Sequence, residues 1–153
     1  MADYYLQFSE AFNVTAEEEE WIKEFLKTEC PTEKTDKEIA AWCKVRGLSK
    51  DSDTWNWPHF EWCITGKGKD RSCWIYSNDG YDEEHLAGFI QAYLRKFHPD
   101  TVITISGAET CSKPRIDSFG GFWLAITAKR VEGGSTWDAA RVAAERLKKK
   151  LLR

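Results

Sequence analysis

The chain has 153 residues, of which 42% are hydrophobic and 31% charged, and its formal net charge is −3. This composition is typical of one globular domain over residues 1–153 and excludes a disordered or collagen-like chain. No apolar run approaches the ~20 residues that a membrane-spanning helix needs, so we expect no membrane partner.

Two helices follow a short strand in the N-terminal third of the chain. Residues 4–8 alternate between apolar and polar side chains, as a strand does. Thr15 fits the cap of a first helix, because Glu18 stands three residues later, as a capping box requires. A second helix begins at Thr35 or Asp36 and is followed by a polar loop.

A β-hairpin and a long amphipathic helix occupy the middle of the chain. Residues 59–65 and 71–77 alternate on either side of a glycine-containing turn and predict the hairpin. Asp82 is the predicted N-terminal cap of a helix whose apolar residues recur at helical spacing, namely Leu86, Phe89, Ile90, Tyr93, Leu94 and Phe97. Residues 101–106 and 122–127 form the fourth and fifth predicted strands.

The last helix starts near Trp137 and completes the order β-α-α-β-β-α-β-β-α. Its apolar face consists of Ala140, Ala143, Ala144, Leu147 and Leu151. This order predicts an α+β fold, in which an antiparallel or mixed sheet of about five strands packs against helices. The middle portion has the ferredoxin-like order β-α-β-β-α-β if the second helix is an insertion.

The polar loop of residues 107–121 is the first candidate site, because loops on a rigid sheet often carry function. Its candidate binding residues are Glu109, Thr110, Cys111, Ser112, Lys113 and Arg115. Lys113 and Arg115 are suited to a small anion, and nearby cations favour the thiolate of a cysteine. A cysteine nucleophile also needs a base. The sequence does not place a histidine beside Cys111, but His59 starts a strand and could be near, so an active loop would converge on a pocket with His59 or Glu61. The alternative is a hairpin loop whose glycines permit a tight bend.

Trp55 and Trp57 form the second candidate site, in a predicted loop before the hairpin. Exposed tryptophans anchor protein interfaces, so both are candidate binding residues. The alternative is that they fold back over the core, since tryptophan is highly buried on average.

Several classes of function lack their sequence signals. The chain contains no P-loop, no dinucleotide-binding glycine motif, no metalloprotease motif and no metal-ligand spacing, so we expect neither cofactor nor metal. The net negative charge argues against a nucleic-acid partner. The five cysteines are scattered and odd in number, and the N-terminus lacks signal-peptide features. Both observations predict a cytoplasmic protein with reduced thiols.

The stretch Ala108-Glu109-Thr110-Cys111-Ser112-Lys113-Pro114-Arg115, followed by Phe119-Gly120-Gly121, resembles a family of small uncharacterised bacterial and phage proteins. The resemblance covers roughly residues 60–127. No activity is established for that family, so the resemblance implies no catalytic residue.

Three functions therefore stay open. The main hypothesis is a small non-enzymatic protein-binding module with another protein as its partner, and a phage or mobile-element origin would make it an inhibitor of a host or defence protein. The alternative is an enzyme or small-ligand sensor that uses the loop of Cys111, Lys113 and Arg115. The third is a structural subunit that pairs with itself through an apolar surface.

Overall fold

The computed structural model describes residues 2–31, 33–49, 52–113, 115 and 119–152. Within these residues the strands are β1 (Tyr4–Asn13), β2 (Glu61–Thr65), β3 (Ser72–Ser77), β4 (Ile103–Cys111), β5 (Gly120–Ile126) and β6 (Val131–Ser135). The helices are α1 (Ala16–Lys27), α2 (Asp36–Val45), α3 (Glu83–Phe97) and α4 (Thr136–Leu151). No helix in the described residues is both long enough and apolar enough to cross a membrane.

The strands form one antiparallel sheet in the order β2-β3-β1-β4-β5-β6. The α+β fold is confirmed. The first four strands, with α1 and α3 as their connecting helices, have the ferredoxin-like order, and α2 is the inserted helix. The sheet has six strands instead of about five. The additional strand is β6, whose two glycines disfavour a strand, but all five of its residues pair with β5, from Ile126 to Phe122.

The predicted N-terminal caps of α1 and α3 are confirmed. At α1, the backbone N–H of Thr15 donates to Glu18 Oε2 (2.9 Å), and the N–H of Glu18 donates to Thr15 Oγ1 (3.2 Å). At α3, Asp82 Oδ1 accepts from the N–H groups of Glu84 (2.8 Å) and His85 (3.1 Å). These side chains satisfy first-turn donors that have no partner inside the helix.

The hydrophobic core lies between one face of the sheet and the helices α1, α2 and α3. The sheet contributes Phe8, Cys73, Ile75, Ile105, Leu124 and Ile126. The longest buried stripe belongs to α3, where Leu86, Phe89, Ile90, Tyr93 and Leu94 are each at most 2% exposed. Because side chains alternate along each strand, the opposite face of the sheet carries residues such as Ser9, Trp74 and Trp123, which are exposed.

The last helix, α4, departs from the expectation that each helix packs its apolar face on the sheet. None of its residues is buried. The core face of the sheet is already covered by α1, α2 and α3, and α4 leaves the sheet from its edge strand, β6. The apolar residues of α4 therefore remain in contact with solvent.

Candidate interaction surface

The loop of Cys111 joins the end of β4 to the start of β5. Ser112 Oγ accepts from the backbone N–H of Asp3 (2.9 Å), so the loop is tied to the strand that begins the chain. Lys113 and Arg115 are exposed, while Glu109 and Thr110 are half-buried. Residues 114 and 116–118 of the predicted site lie outside the described residues. The proposed anion site at the two cations stays a prediction.

Cys111 is only 8% exposed, and its side chain lies on the same side of β4 as that of the core residue Ile105. Each histidine is placed away from it. His85 is buried and bonded to Ser52 and to the backbone of His59, and His98 is bonded to Glu18. The backbone of His59 precedes β2, which is three strand spacings, or about 14 Å, from β4. The structure therefore brings no histidine next to Cys111.

The two tryptophans of the second candidate site have different environments. Trp57 is 9% exposed and packs edge-on against Trp42, with ring centroids 5.6 Å apart. It therefore matches the alternative in which the tryptophan folds back over the core. Trp55 is 82% exposed. Asp53 holds this turn through bonds from the N–H of Trp55 (3.1 Å) and from Asn56 Nδ2 (2.7 Å). Of the pair, only Trp55 is presented to solvent.

A polar cleft of about 500 Å³ lies at the end of β2 and β3. Its lining includes His59, Glu61, Tyr76 and Asp79. It opens at the same end of the sheet as the Cys111 loop, but Cys111, Lys113 and Arg115 do not line it. Within the described ranges, no three histidine, cysteine, aspartate or glutamate side chains are grouped as a metal site.

The sequence patterns did not identify the buried guanidinium of Arg46. Arg46 is 5% exposed, and it donates to the carbonyl oxygens of Phe25 (3.1 Å) and Trp42 (3.4 Å) at the ends of α1 and α2. Its carbon Cζ lies 4.0 Å from the centroid of the Trp42 ring. Burial lowers the pKa of Arg46 to about 10, so the side chain stays charged at neutral pH. The only sequence signal for this role is a basic residue at the end of a helix.

The sequence predicts Glu18 only as part of a capping box, but its buried carboxylate makes further contacts. Besides capping α1, Glu18 accepts from Tyr93 Oη (3.0 Å) and contacts His98 Nε2 (2.7 Å). Glu18 is 5% exposed and lines an open cleft with His98 and Lys69. All of the described bonds of Glu18 are to other residues of the chain, and they connect α1 to α3.

The start of α4 is firmly attached to the sheet. The N–H of Gly121 donates to Thr136 Oγ1 (2.9 Å), and Trp137 Nε1 donates to the carbonyl oxygen of Phe119 (3.1 Å). Ser135 caps the helix by accepting from the N–H of Asp138 (3.2 Å). The orientation of the helix is therefore fixed at its first turn.

One side of α4 carries an exposed apolar row, which we call the α4 stripe. Its large members are Trp137, Leu147 and Leu151, which are 53%, 55% and 85% exposed, respectively. The complete stripe consists of Trp137, Ala140, Ala144, Leu147 and Leu151. Exposed apolar side chains at regular helical spacing mark a docking surface more often than isolated ones do.

Beyond Trp137, whose indole is bonded to Phe119 and is half exposed, the α4 stripe points away from the sheet of its own chain. The opposite side of the helix, with Ala139 and Val142, borders a groove of about 450 Å³ whose other wall includes Trp123 and Gly134. The Trp123 ring packs closely on Gly134, since a Cβ at this position would lie 3.0 Å from Trp123 Nε1. Steps of 100° per residue place the stripe and the groove on opposite sides of the helix. The body of the chain therefore leaves the stripe open.

Comparison with known proteins adds no relative to these observations. The chain matches no protein-family model, no curated protein and no solved structure.

Proposed function

We propose that this chain is a non-enzymatic protein-binding module and that the α4 stripe is its docking surface. The observation that carries the proposal is that α4 has no buried residue although apolar side chains recur along it. Isolated helices of this length are marginal in water, and in proteins their stability comes mainly from packing of an amphipathic face. A polypeptide partner would supply that packing.

The chemistry of α4 favours a protein partner. Full burial of one exposed large apolar side chain contributes about 1.5–3 kcal/mol; Leu151 offers most of its surface to a partner, and Leu147 and Trp137 about half of theirs. Lys and Arg residues outnumber acidic residues on α4 by five to two, so charged side chains border the apolar row. An apolar centre with a polar rim is the usual anatomy of a protein interface. Within this proposal the module works in the cytoplasm, where the five free thiols stay reduced.

Photo-crosslinking in the cells that encode the protein tests this proposal. A photoreactive amino acid at Ala144 should give one discrete adduct, because Ala144 lies at the centre of the exposed stripe. The same amino acid at Ala41, an exposed alanine of α2, is the matched control and should give none. The substitution Leu147→Glu should abolish the adduct. Absence of an adduct at position 144, or an equal adduct at position 41, would contradict the proposal.

The identity of the adduct tests the finer form of the proposal. A host or defence protein in the adduct would make the module an inhibitor from a phage or mobile element. The alternative function, an enzyme or sensor at Cys111, Lys113 and Arg115, requires a reactive thiol. The burial of Cys111 and its distance from the histidines do not favour that alternative.

A further inference from the structure

We infer that the partner of the α4 stripe is the α4 stripe of a second copy of this chain, in an antiparallel helix pair. This inference rests on the proposed function, because it names the polypeptide that docks on the stripe. Three properties of α4 support it: the spacing of the stripe, the size of its residues and the distribution of charge along the helix.

The spacing of the stripe is that of a coiled coil. Its residues stand at positions 137, 140, 144, 147 and 151, so that intervals of three and four alternate. These are the a and d positions of a heptad repeat, the positions that face a partner helix. The stripe spans two such repeats. The other apolar residues of α4, Ala139, Val142 and Ala143, line the groove towards the sheet, so the apolar residues on the side that faces solvent all stand at a and d positions.

The size of the residues favours a helix as the occupant. A helix that inserts into a groove of another protein is anchored by bulky side chains. The centre of the α4 stripe holds the two smallest members, Ala140 and Ala144, and the large residues stand at its ends. Alanines at the centre allow two helix backbones to approach closely, and the ends then close around them.

The distribution of charge selects the antiparallel orientation. The first half of α4 has one acidic and one basic residue, Asp138 and Arg141, whereas the second half has Glu145 against four basic residues. The run Lys148-Lys149-Lys150 would lie beside its own copy in a parallel pair. In an antiparallel pair it lies beside the neutral half with Asp138, and the two helix dipoles oppose each other. Such a pair has two-fold symmetry and closes without growing into a fibre.

Measurement of molar mass against concentration tests the inference on the purified chain. We expect the mass to rise from 17.7 kDa towards twice that value. Two heptads form a small interface, so the midpoint should fall on the order of 10–100 µM. Leu147→Glu and Leu151→Glu, both on the stripe, should keep the chain monomeric at about 500 µM, roughly fivefold above the upper end of that range.

The matched control is Val142→Glu, which introduces the same carboxylate on the same helix. Val142 is 63% exposed and lies on the groove side of α4, away from the stripe. This variant should dimerise as the unaltered chain does. A chain that stays monomeric at 500 µM, or an equal effect of Val142→Glu and Leu147→Glu, would overturn the inference. Circular dichroism should show unchanged helix content in all of these variants under monomeric conditions.

The orientation is tested by Leu151→Cys under mild oxidation. The two copies of position 151 lie at opposite ends of an antiparallel pair, about 20 Å apart along the helices, so no disulfide through Cys at this position should form. A rapid disulfide-linked dimer that maps to position 151 would overturn the antiparallel arrangement. The crosslinking experiment distinguishes the two proposals: an adduct with another protein, together with a monomeric purified chain, removes the second copy but retains the docking surface.

Discussion

Arg46 places a positive charge in the core, and its described contacts include no acidic side chain. The described contacts of the guanidinium are two carbonyl oxygens in the last turns of α1 and α2 and the rings of Phe25, Trp42 and Trp57. The last turn of a helix has carbonyl groups without donors and a partial negative charge. Arg46 therefore caps two helix ends at once and joins the inserted helix α2 to α1.

Replacement of this guanidinium should destabilise the chain. We expect Arg46→Met to lower the free energy of unfolding by about 2–4 kcal/mol, because two buried carbonyl groups lose their donor. Arg46→Lys should restore only part of that loss, since an ammonium group can neither bridge both carbonyls in one plane nor stack on the rings. Denaturation by urea measures both variants.

The matched control for Arg46 is Lys44→Met on the exposed side of the same helix. It removes a charge of the same sign and should change the free energy of unfolding by less than about 0.5 kcal/mol. If Arg46→Met were as stable as Lys44→Met, the proposed double cap would be wrong.

At the scale of elements, Glu18 connects the start of α1 to the end of α3. Its carboxylate receives the N–H of Thr15 and the hydroxyl of Tyr93 and contacts His98. We expect Glu18→Gln to lower the free energy of unfolding by about 1–3 kcal/mol, because the buried bonds from Thr15 and Tyr93 lose the negative charge of their acceptor. Thermal or urea unfolding measures this change.

The chain supplies an internal control for the Glu18 variant. Glu38 occupies the equivalent position in the capping box of α2, where it accepts from the N–H of Thr35 (3.0 Å), but it is exposed. Glu38→Gln should therefore cost less than about 1 kcal/mol. Equal losses at Glu18 and Glu38 would show that only the cap matters and that the bonds to Tyr93 and His98 contribute nothing.

These two glutamates also show which parts of the fold can be predicted from short sequence patterns. Both capping boxes depend on residues three apart, so the starts of α1 and α2 are predictable from spacing alone. Tyr93 and His98 stand 75 and 80 residues from Glu18, and they meet it only after α1 packs against α3. No local pattern encodes such a contact. The same holds for Arg46, whose partner Phe25 lies 21 residues away.

At the scale of the whole molecule, periodicity predicts the core but not the edge of the sheet. The stripe of α3 and the alternation of β5 identify buried residues correctly, because burial on one face imposes those periods, whereas Trp62 and Ile64 on the apolar face of β2 are only half-buried. The sixth strand has two glycines and no alternation, and only its pairing with β5 reveals it. The exposure of the α4 stripe follows from that edge position, so the candidate surface could not be derived from the apolar pattern of α4 alone.

If the α4 stripe serves a partner rather than the fold, the body of the chain should not need most of α4. A chain that ends at Ala140 keeps the anchors at Thr136 and Trp137 but lacks the exposed part of the helix. Because the removed residues bury almost nothing, we expect its Tm in dilute solution to lie within about 2 °C of that of the full chain. The full chain should melt at a higher temperature as its concentration rises, since self-association stabilises the folded state, whereas the truncated chain should not. Calorimetry over a hundredfold range of concentration measures both effects. A fall in Tm of more than about 10 °C on truncation would show that α4 packs against its own chain and would contradict an unpartnered stripe.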